Sequence, residues 1–308
     1  MNRSARRNQS TRRSMLASVS AMAAAVAGLR ISDTLLAGQQ PRGFNAATVS
    51  EMSFGLVTYQ WGKDLDLPTL IDTCEKSGLT GVELRTEHRH AVEPGLSKAD
   101  RDGVRKRFEA SSIELIGYGS NAQFHEADVD KVKANIELTK QYIQLMHDCG
   151  GSGVKVKPNG FVKDVPREKT IEQIGRALNE VAEYGQQYGQ QIRVEVHGAE
   201  TCELPVIKAI FDVATHPNVA VCWNSNAEDL KGEGLEHNFN LVKDRFGATV
   251  HVRELTIDDY PYDELFRLFR GIKYAGWILL EARTEPADKV AALIEQRLAF
   301  EKLIAGAG

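Results

Sequence analysis

Along this chain, eight short runs rich in aliphatic and β-branched residues alternate with longer amphipathic ones, and that alternation most restricts the fold. The strand candidates are FGLVTY from Phe54, GVELR from Gly81, ELIGYGS from Glu114, GVKVKP from Gly153, IRVEVHG from Ile192, VAVCWNS from Val219, ATVHVREL from Ala248 and WILLEAR from Trp277. The stretches between them read as helices. In LPTLIDTCEKSG, Leu67, Leu70, Ile71 and Cys74 fall on one face and Gly78 ends the last turn. A helix after every strand implies parallel strands joined by helical crossovers, because antiparallel neighbours need only tight turns. Eight such units close into an α/β, (β/α)8 TIM barrel, expected here as one domain over residues 51–308. A doubly wound open sheet is the alternative, but no GxGxxG follows the first strand.

The N-terminal segment stands apart from that pattern. TRRSMLA at Thr11 to Ala17 places a basic pair before the uncharged apolar stretch Met15 to Leu29, the form of a twin-arginine export signal. Residues 1–38 are therefore expected to be a signal peptide and leader, and residues 39–50 a polar linker, with the mature chain periplasmic or otherwise extracytoplasmic. The alternative is an uncleaved N-terminal anchor; no stable membrane span is expected after cleavage, since no other run approaches the length of a membrane helix. The formal net charge is −4, and −9 once the six Arg and one Asp of residues 1–38 are set aside. An acidic body without a Lys/Arg stripe weighs against nucleic acid as a partner. Cys74, Cys149, Cys202 and Cys222 show no CxxC pairing, and no disulfide is expected.

In a (β/α)8 barrel the active site forms at the C-terminal ends of the strands, so the inward-pointing polar residues there are the informative ones. Period-two alternation identifies them. In RVEVHG, Val194 and Val196 pack outward against helices, which turns Arg193, Glu195 and His197 into the barrel. By the same rule Glu83 and Arg85, Lys155 and Lys157, Cys222 and Asn224, His251 and Arg253, and Leu279 and Glu281 point inward. Burying so many ionisable groups is costly unless they pair or share a cation. Glu195, Asn224, His251 and Glu281, near the ends of four consecutive strands, offer two carboxylates, an amide oxygen and an imidazole, a donor set suited to Mn²⁺, Mg²⁺, Co²⁺ or Zn²⁺. The alternative is an internal ion network in which Arg193, Arg253, Lys155 and Lys157 neutralise Glu83, Glu195 and Glu281. His88, His90, His125, His197 and His251 all fall at or just after strand ends, pointing to a site on that face. Trp61 and Phe124 would supply a flat wall for a sugar ring or simply cap the barrel.

These residues resemble the xylose isomerase-like TIM-barrel superfamily of sugar isomerases and epimerases. The resemblance runs from Phe54 to about Ala305 and is sharpest in VEVHG, in HVRE at His251, and in the closing YDELFRLFRGIKYAGWILLEAR. It implies a divalent metal held by Glu195, Asn224, His251 and Glu281, with the two Glu exchanging protons with a small-molecule carbohydrate. Where the family's strand six usually ends D-x-x-H, this chain has Asn224-Ser225-Asn226-Ala227, so one negative charge and one imidazole are gone. Asn226 then either donates to a substrate oxygen or merely forms the turn. The expected reaction is proton abstraction α to a carbonyl of a non-phosphorylated sugar. Catalytic roles fall to Glu195, Glu281, Lys155, Lys157 and Arg253, and substrate contacts to Trp61, Glu83, Arg85, His88, His125, His197 and Asn226. Elimination from a 3-keto-glycoside and sugar binding without catalysis are the alternatives, while an endonuclease role is disfavoured by the acidic surface.

Overall fold

The computed structural model describes residues 52–306. The expected export signal over residues 1–38 and linker over residues 39–50 lie outside them. Eight parallel strands are present: β1 Ser53–Val57, β2 Gly81–Arg85, β3 Glu114–Gln123, β4 Gly153–Lys157, β5 Gln191–Glu195, β6 Val219–Cys222, β7 Thr249–Val252 and β8 Trp277–Leu280. They alternate with α1 Leu67–Ser77, α2 Lys98–Glu109, α3 Val129–Cys149, α4 Arg167–Gln187, α5 Leu204–Val213, α6 Leu235–Val242, α7 Tyr262–Gly271 and α8 Lys289–Ala305. Sheet order runs β6-β5-β4-β3-β2-β1-β8-β7. The remaining gap is narrowed by isolated parallel bridges Val221↔Phe246 and Asn224↔His251, so the expected (β/α)8 barrel is what forms.

Local chemistry sets the element ends. The α1 helix starts where the Asp66 side chain accepts a hydrogen bond from the Thr69 amide and Pro68 needs no donor, and it stops at Gly78 with φ 74°. Outward strand residues such as Val154, Val194, Val196 and Val250 join the large core between sheet and helices. The barrel interior is a separate, small apolar group of Val57, Ile116 and Leu279, with Tyr59 and Trp277 against it.

Beneath the site the interior is plugged by a charge. The Arg193 side chain is fully buried, and its guanidinium lies so close to Gly117 and Gly153 that a Cβ at either would sit within 2.7 Å of it. The Arg193 side chain donates to Ile116 O (3.1 Å), Ser152 Oγ (2.8 Å) and Gln191 Oε1 (3.2 Å). The Arg193 guanidinium is therefore anchored by neutral acceptors; of the carboxylates in the ion-network alternative it helps to offset the buried Glu83 charge at longer range, and it forms no ion pair with Glu195 or Glu281.

Candidate active site

The C-terminal ends of the strands surround a cavity of about 450 Å³. Its floor is formed by Glu195, Asn224 and Glu281, and its wall by Tyr59, Arg85, Lys157, His197, Asn226 and Arg283, with Gly198 and Cys202 beside them. Each floor residue owes its position to strand periodicity: Glu195 closes β5, and Asn224 and Glu281 follow just past the ends of β6 and β8.

Two carboxylates are arranged alike. Glu195 holds Oε2 against the ammonium of Lys155, both side chains almost completely buried. Glu281 holds Oε1 3.0 Å from the Arg85 guanidinium, which also reaches Asn121 Oδ1 at 3.3 Å and lies 4.9 Å above the Tyr59 ring. The remaining oxygens converge: Glu195 Oε1 and Glu281 Oε2 lie 3.8 Å and 3.7 Å from His251 Nδ1. Both are also near Asn224 Nδ2, at 3.0 Å and 3.5 Å.

Electrostatics keeps this floor ionised. Burial alone would raise the Glu195 carboxyl, but the Lys155 ammonium and His251 outweigh it and hold Glu195 well below the usual carboxylate range. Burial and the Glu195 charge likewise push Glu281 up, and His251 and Lys155 bring it below its ordinary value. For His251, burial opposes protonation, yet the neighbouring Cys222 and Glu83 raise the imidazole well above its usual value. Glu83 Oε1 lies 3.1 Å from His251 Nε2, close enough for an ion pair although not aligned as a hydrogen bond. Glu83 is fully buried under the floor, so it positions His251 and does not line the cavity.

His251 Nδ1 has no hydrogen-bond partner, and its distances to the two carboxylates are too long for one. The nitrogen thus meets the two anionic oxygens at ion-pair distance without making a hydrogen bond to either. The same spacing suits neighbouring ligands of a shared cation, and Glu195, His251 and Glu281 bring ligand atoms within 4.8 Å of one another. Asn224 completes the set if its amide turns over, which exchanges two atoms of nearly equal size and points Oδ1 at the same spot. The residues therefore fit a divalent cation.

Other expected site residues fall in different places. Lys157 and His197 line the cavity; Lys157 Nζ is 3.4 Å from Asn121 Oδ1, and His197 Nδ1 is 3.0 Å from Asn159 Oδ1. Asn226 lines it too, but its amide nitrogen donates to Val196 O and Asn224 O, both at 2.8 Å, so the turn-forming alternative describes that nitrogen. Trp61 is buried and donates its indole N–H to Thr284 O at 2.8 Å, and Phe124 is fully buried, so both cap the barrel and neither lines the cavity. Arg253 is drawn away by Asp259, 2.9 Å from its guanidinium, and is absent from the cavity wall. His88 is bound to Thr58 Oγ1 at 3.1 Å, and its burial lowers it to about 4; His125 also lies off the cavity wall. His90 accepts from the Val92 amide and is tied to Arg85 O, which makes it a loop fastener. Of the five strand-end histidines, only His197 and His251 reach the site. Tyr59 and Arg283 were missed, although each stands two residues beyond an inward position, Val57 and Glu281, so the alternation reaches both.

The four cysteines are free and buried, and no helix among the described residues is long and apolar enough to cross a membrane. A family model described as xylose isomerase-like TIM barrel matches residues 71–302. No curated protein matches by sequence. Among solved structures, 3-keto-D-glucoside 4-epimerase YcjR from E. coli aligns at 11% identity and TM-score 0.70, covering 82% of this chain and 100% of that one. L-ribulose 3-epimerase aligns at 15% identity and TM-score 0.72, covering 83% and 96%. The IOLI protein with a bound zinc atom aligns at 15% identity and TM-score 0.70, covering 82% and 98%.

Proposed function

This chain belongs to the xylose isomerase-like TIM barrel family, and from that premise we propose that it isomerises or epimerises a non-phosphorylated carbohydrate by proton transfer next to a carbonyl. What carries the proposal is the floor of the cavity: two ionised carboxylates, each with one oxygen on a fixed cation and the other facing the unpartnered His251 Nδ1. Support comes from structural neighbours named as sugar epimerases and from one that holds zinc.

Glu195, Glu281, His251 and the Asn224 amide oxygen would hold the divalent cation, which supplies Lewis-acid polarisation of the substrate carbonyl and so acidifies the neighbouring C–H. The chain's own groups do the rest. Glu281 is the more accessible carboxylate, its side chain 12% exposed against 1% for Glu195, and is assigned to take the proton. Arg85 fixes Glu281 through Oε1 and leaves Oε2 facing the floor. Glu195 flanks the same point and exchanges the second proton, while Lys155 fixes its other oxygen. Lys157 and His197 line the wall and are available to hydrogen-bond substrate oxygens. The loops after β7 and β8, LTIDDYPYD and TEPAD, contain no glycine-rich phosphate cradle, which favours a non-phosphorylated substrate.

The test is elemental analysis of the purified protein followed by incubation with keto-sugars in D2O. The expected result is deuterium on the carbon beside the carbonyl, abolished by chelation and by Glu195→Gln or Glu281→Gln with the fold intact. Release of the aglycone from a 3-keto-glycoside, without epimer or isomer, would move the assignment to elimination. Sugar binding without metal or exchange would leave a binding barrel.

A further inference from the structure

We infer that the substrate carries a carboxylate, bound near the mouth of the cavity by Lys157 and Arg283. This rests on the assignment of the cavity as a carbohydrate-converting site. The wall and floor hold three permanent or near-permanent cations, Arg85, Lys157 and Arg283, against two carboxylates, Glu195 and Glu281, in a chain whose net charge is −4. A locally cationic cavity in an acidic protein concentrates field at its mouth and draws anions in.

The three cations are not equally engaged. Arg85 is committed to Glu281 and Asn121. Among the described residues, Lys157 has no carboxylate within ion-pair distance, its one hydrogen bond being the long contact to Asn121. Arg283 likewise makes no side-chain ion pair or hydrogen bond among them, yet its backbone is held firmly, because the buried Glu254 carboxylate accepts from both the Arg283 and Thr284 amides at 2.9 and 2.7 Å. The fastened backbone holds this exposed arginine at the rim of the cavity, while its side chain is free to turn towards a ligand. Lys157 is half-buried and, through burial and the nearby Lys155 charge, is lowered to about 8; an incoming anion offsets that cost.

Position along the strands fixes which end of the substrate is anionic. Lys155 meets Glu195 at the floor, and Lys157 lies two residues further along β4 on the same face, roughly 7 Å nearer the mouth. The carbonyl end goes down to the cation that Glu195 and Glu281 would hold, which leaves the carboxylate of a sugar acid at the mouth beside Lys157 and Arg283. The guanidinium of Arg283 offers the forked donor geometry that a carboxylate matches. The loops flanking Arg283 lack the glycine-rich turn of backbone amides that commonly cradles a phosphate, which favours the smaller carboxylate.

Three ketohexose probes differing at one end separate the possibilities: D-fructose, D-fructuronate and D-fructose 6-phosphate, each titrated calorimetrically into the metal-loaded full chain and followed for deuterium incorporation. Fructuronate is expected to bind about tenfold or more tighter than fructose. That advantage should shrink with added salt and fall towards one in Arg283→Gln and in Lys157→Met. Equal affinity for fructose and fructuronate, failure of all three to bind, or an advantage that survives both substitutions overturns the inference. A larger gain for the phosphate overturns the choice of carboxylate. Exchange into fructose with no affinity difference overturns the anion site alone, whereas tight fructuronate binding without exchange overturns the enzyme assignment and supports the anion site.

Discussion

Replacing Lys155 with Met would test whether the site's charges depend on one another as described. Methionine keeps most of the apolar stem and deletes the ammonium, so packing changes little. Glu195, 1% exposed, then loses its closest counter-charge while remaining enclosed. Breaking a buried pair from one side costs about 3–5 kcal/mol, which for a barrel of this size lowers Tm by roughly 6–20 °C. The sign of the pH dependence discriminates further. In the wild type the folded Glu195 lies below its ordinary value of 4.5, so it contributes stability above that pH and loses it as pH falls through the lowered value. Without Lys155 the burial is offset by His251 and His197 alone, so the folded value moves upward and stability is regained as pH falls towards it. Urea denaturation with chelator present, at pH 7 and at pH 5, should show a deficit that shrinks on acidification, and adding Glu195→Gln should recover most of it. A deficit below about 1 kcal/mol at both pH values, or one that grows on acidification, would refute the reasoning.

Asn224→Asp adds a negative charge between Glu195 and Glu281, so metal content should rise while turnover falls, the cation being a weaker Lewis acid; unchanged metal content speaks against Asn224 as a ligand. Because His251 is raised well above its usual value, its proton must leave before the imidazole can ligate, and metal affinity should increase with pH; a flat profile by competitive chelation would count against His251. Asp229 is buried with one unpartnered oxygen, and burial raises it from 3.8 to about 7, so its ionisation destabilises the fold progressively as pH rises between those values. Asp229→Asn should therefore gain up to about 4 kcal/mol on the parent above pH 7 and nothing below pH 4 by denaturant titration, and a pH-independent difference would exclude this account. Substituting Lys for both Arg12 and Arg13 should retain the precursor inside the cell; fractionation showing normal export would rule out the proposed twin-arginine route.

Much of the architecture and of the cavity floor was legible without coordinates. Alternation of period two is a property of the extended chain itself, so Val194 and Val196 facing the helices with Glu195 between them followed from the string alone. Lys155, Lys157, Asn224, His251 and Glu281 were located the same way, and Tyr59 and Arg283 would have been had the rule been carried two residues further. Beyond the strand ends the rule lapses. Trp61, His88, His125 and Arg253 sit in or next to loops where backbone direction is set by partners distant in sequence, such as Thr284 for Trp61. Nor does a sequence state which charges meet. Arg193 found the oxygens of Ile116, Ser152 and Gln191, Arg253 found Asp259, and of the lysines and arginines only Lys155 and Arg85 reached the two floor carboxylates among the described residues. The sequence by itself determined the repeating unit, the parallel barrel and the inward face of each strand, because those depend on short-range periodicity. Tertiary structure alone decided the pairing of buried charges and the unpartnered nitrogen of His251, because a low-dielectric interior couples groups by distance in space, whatever their separation along the chain.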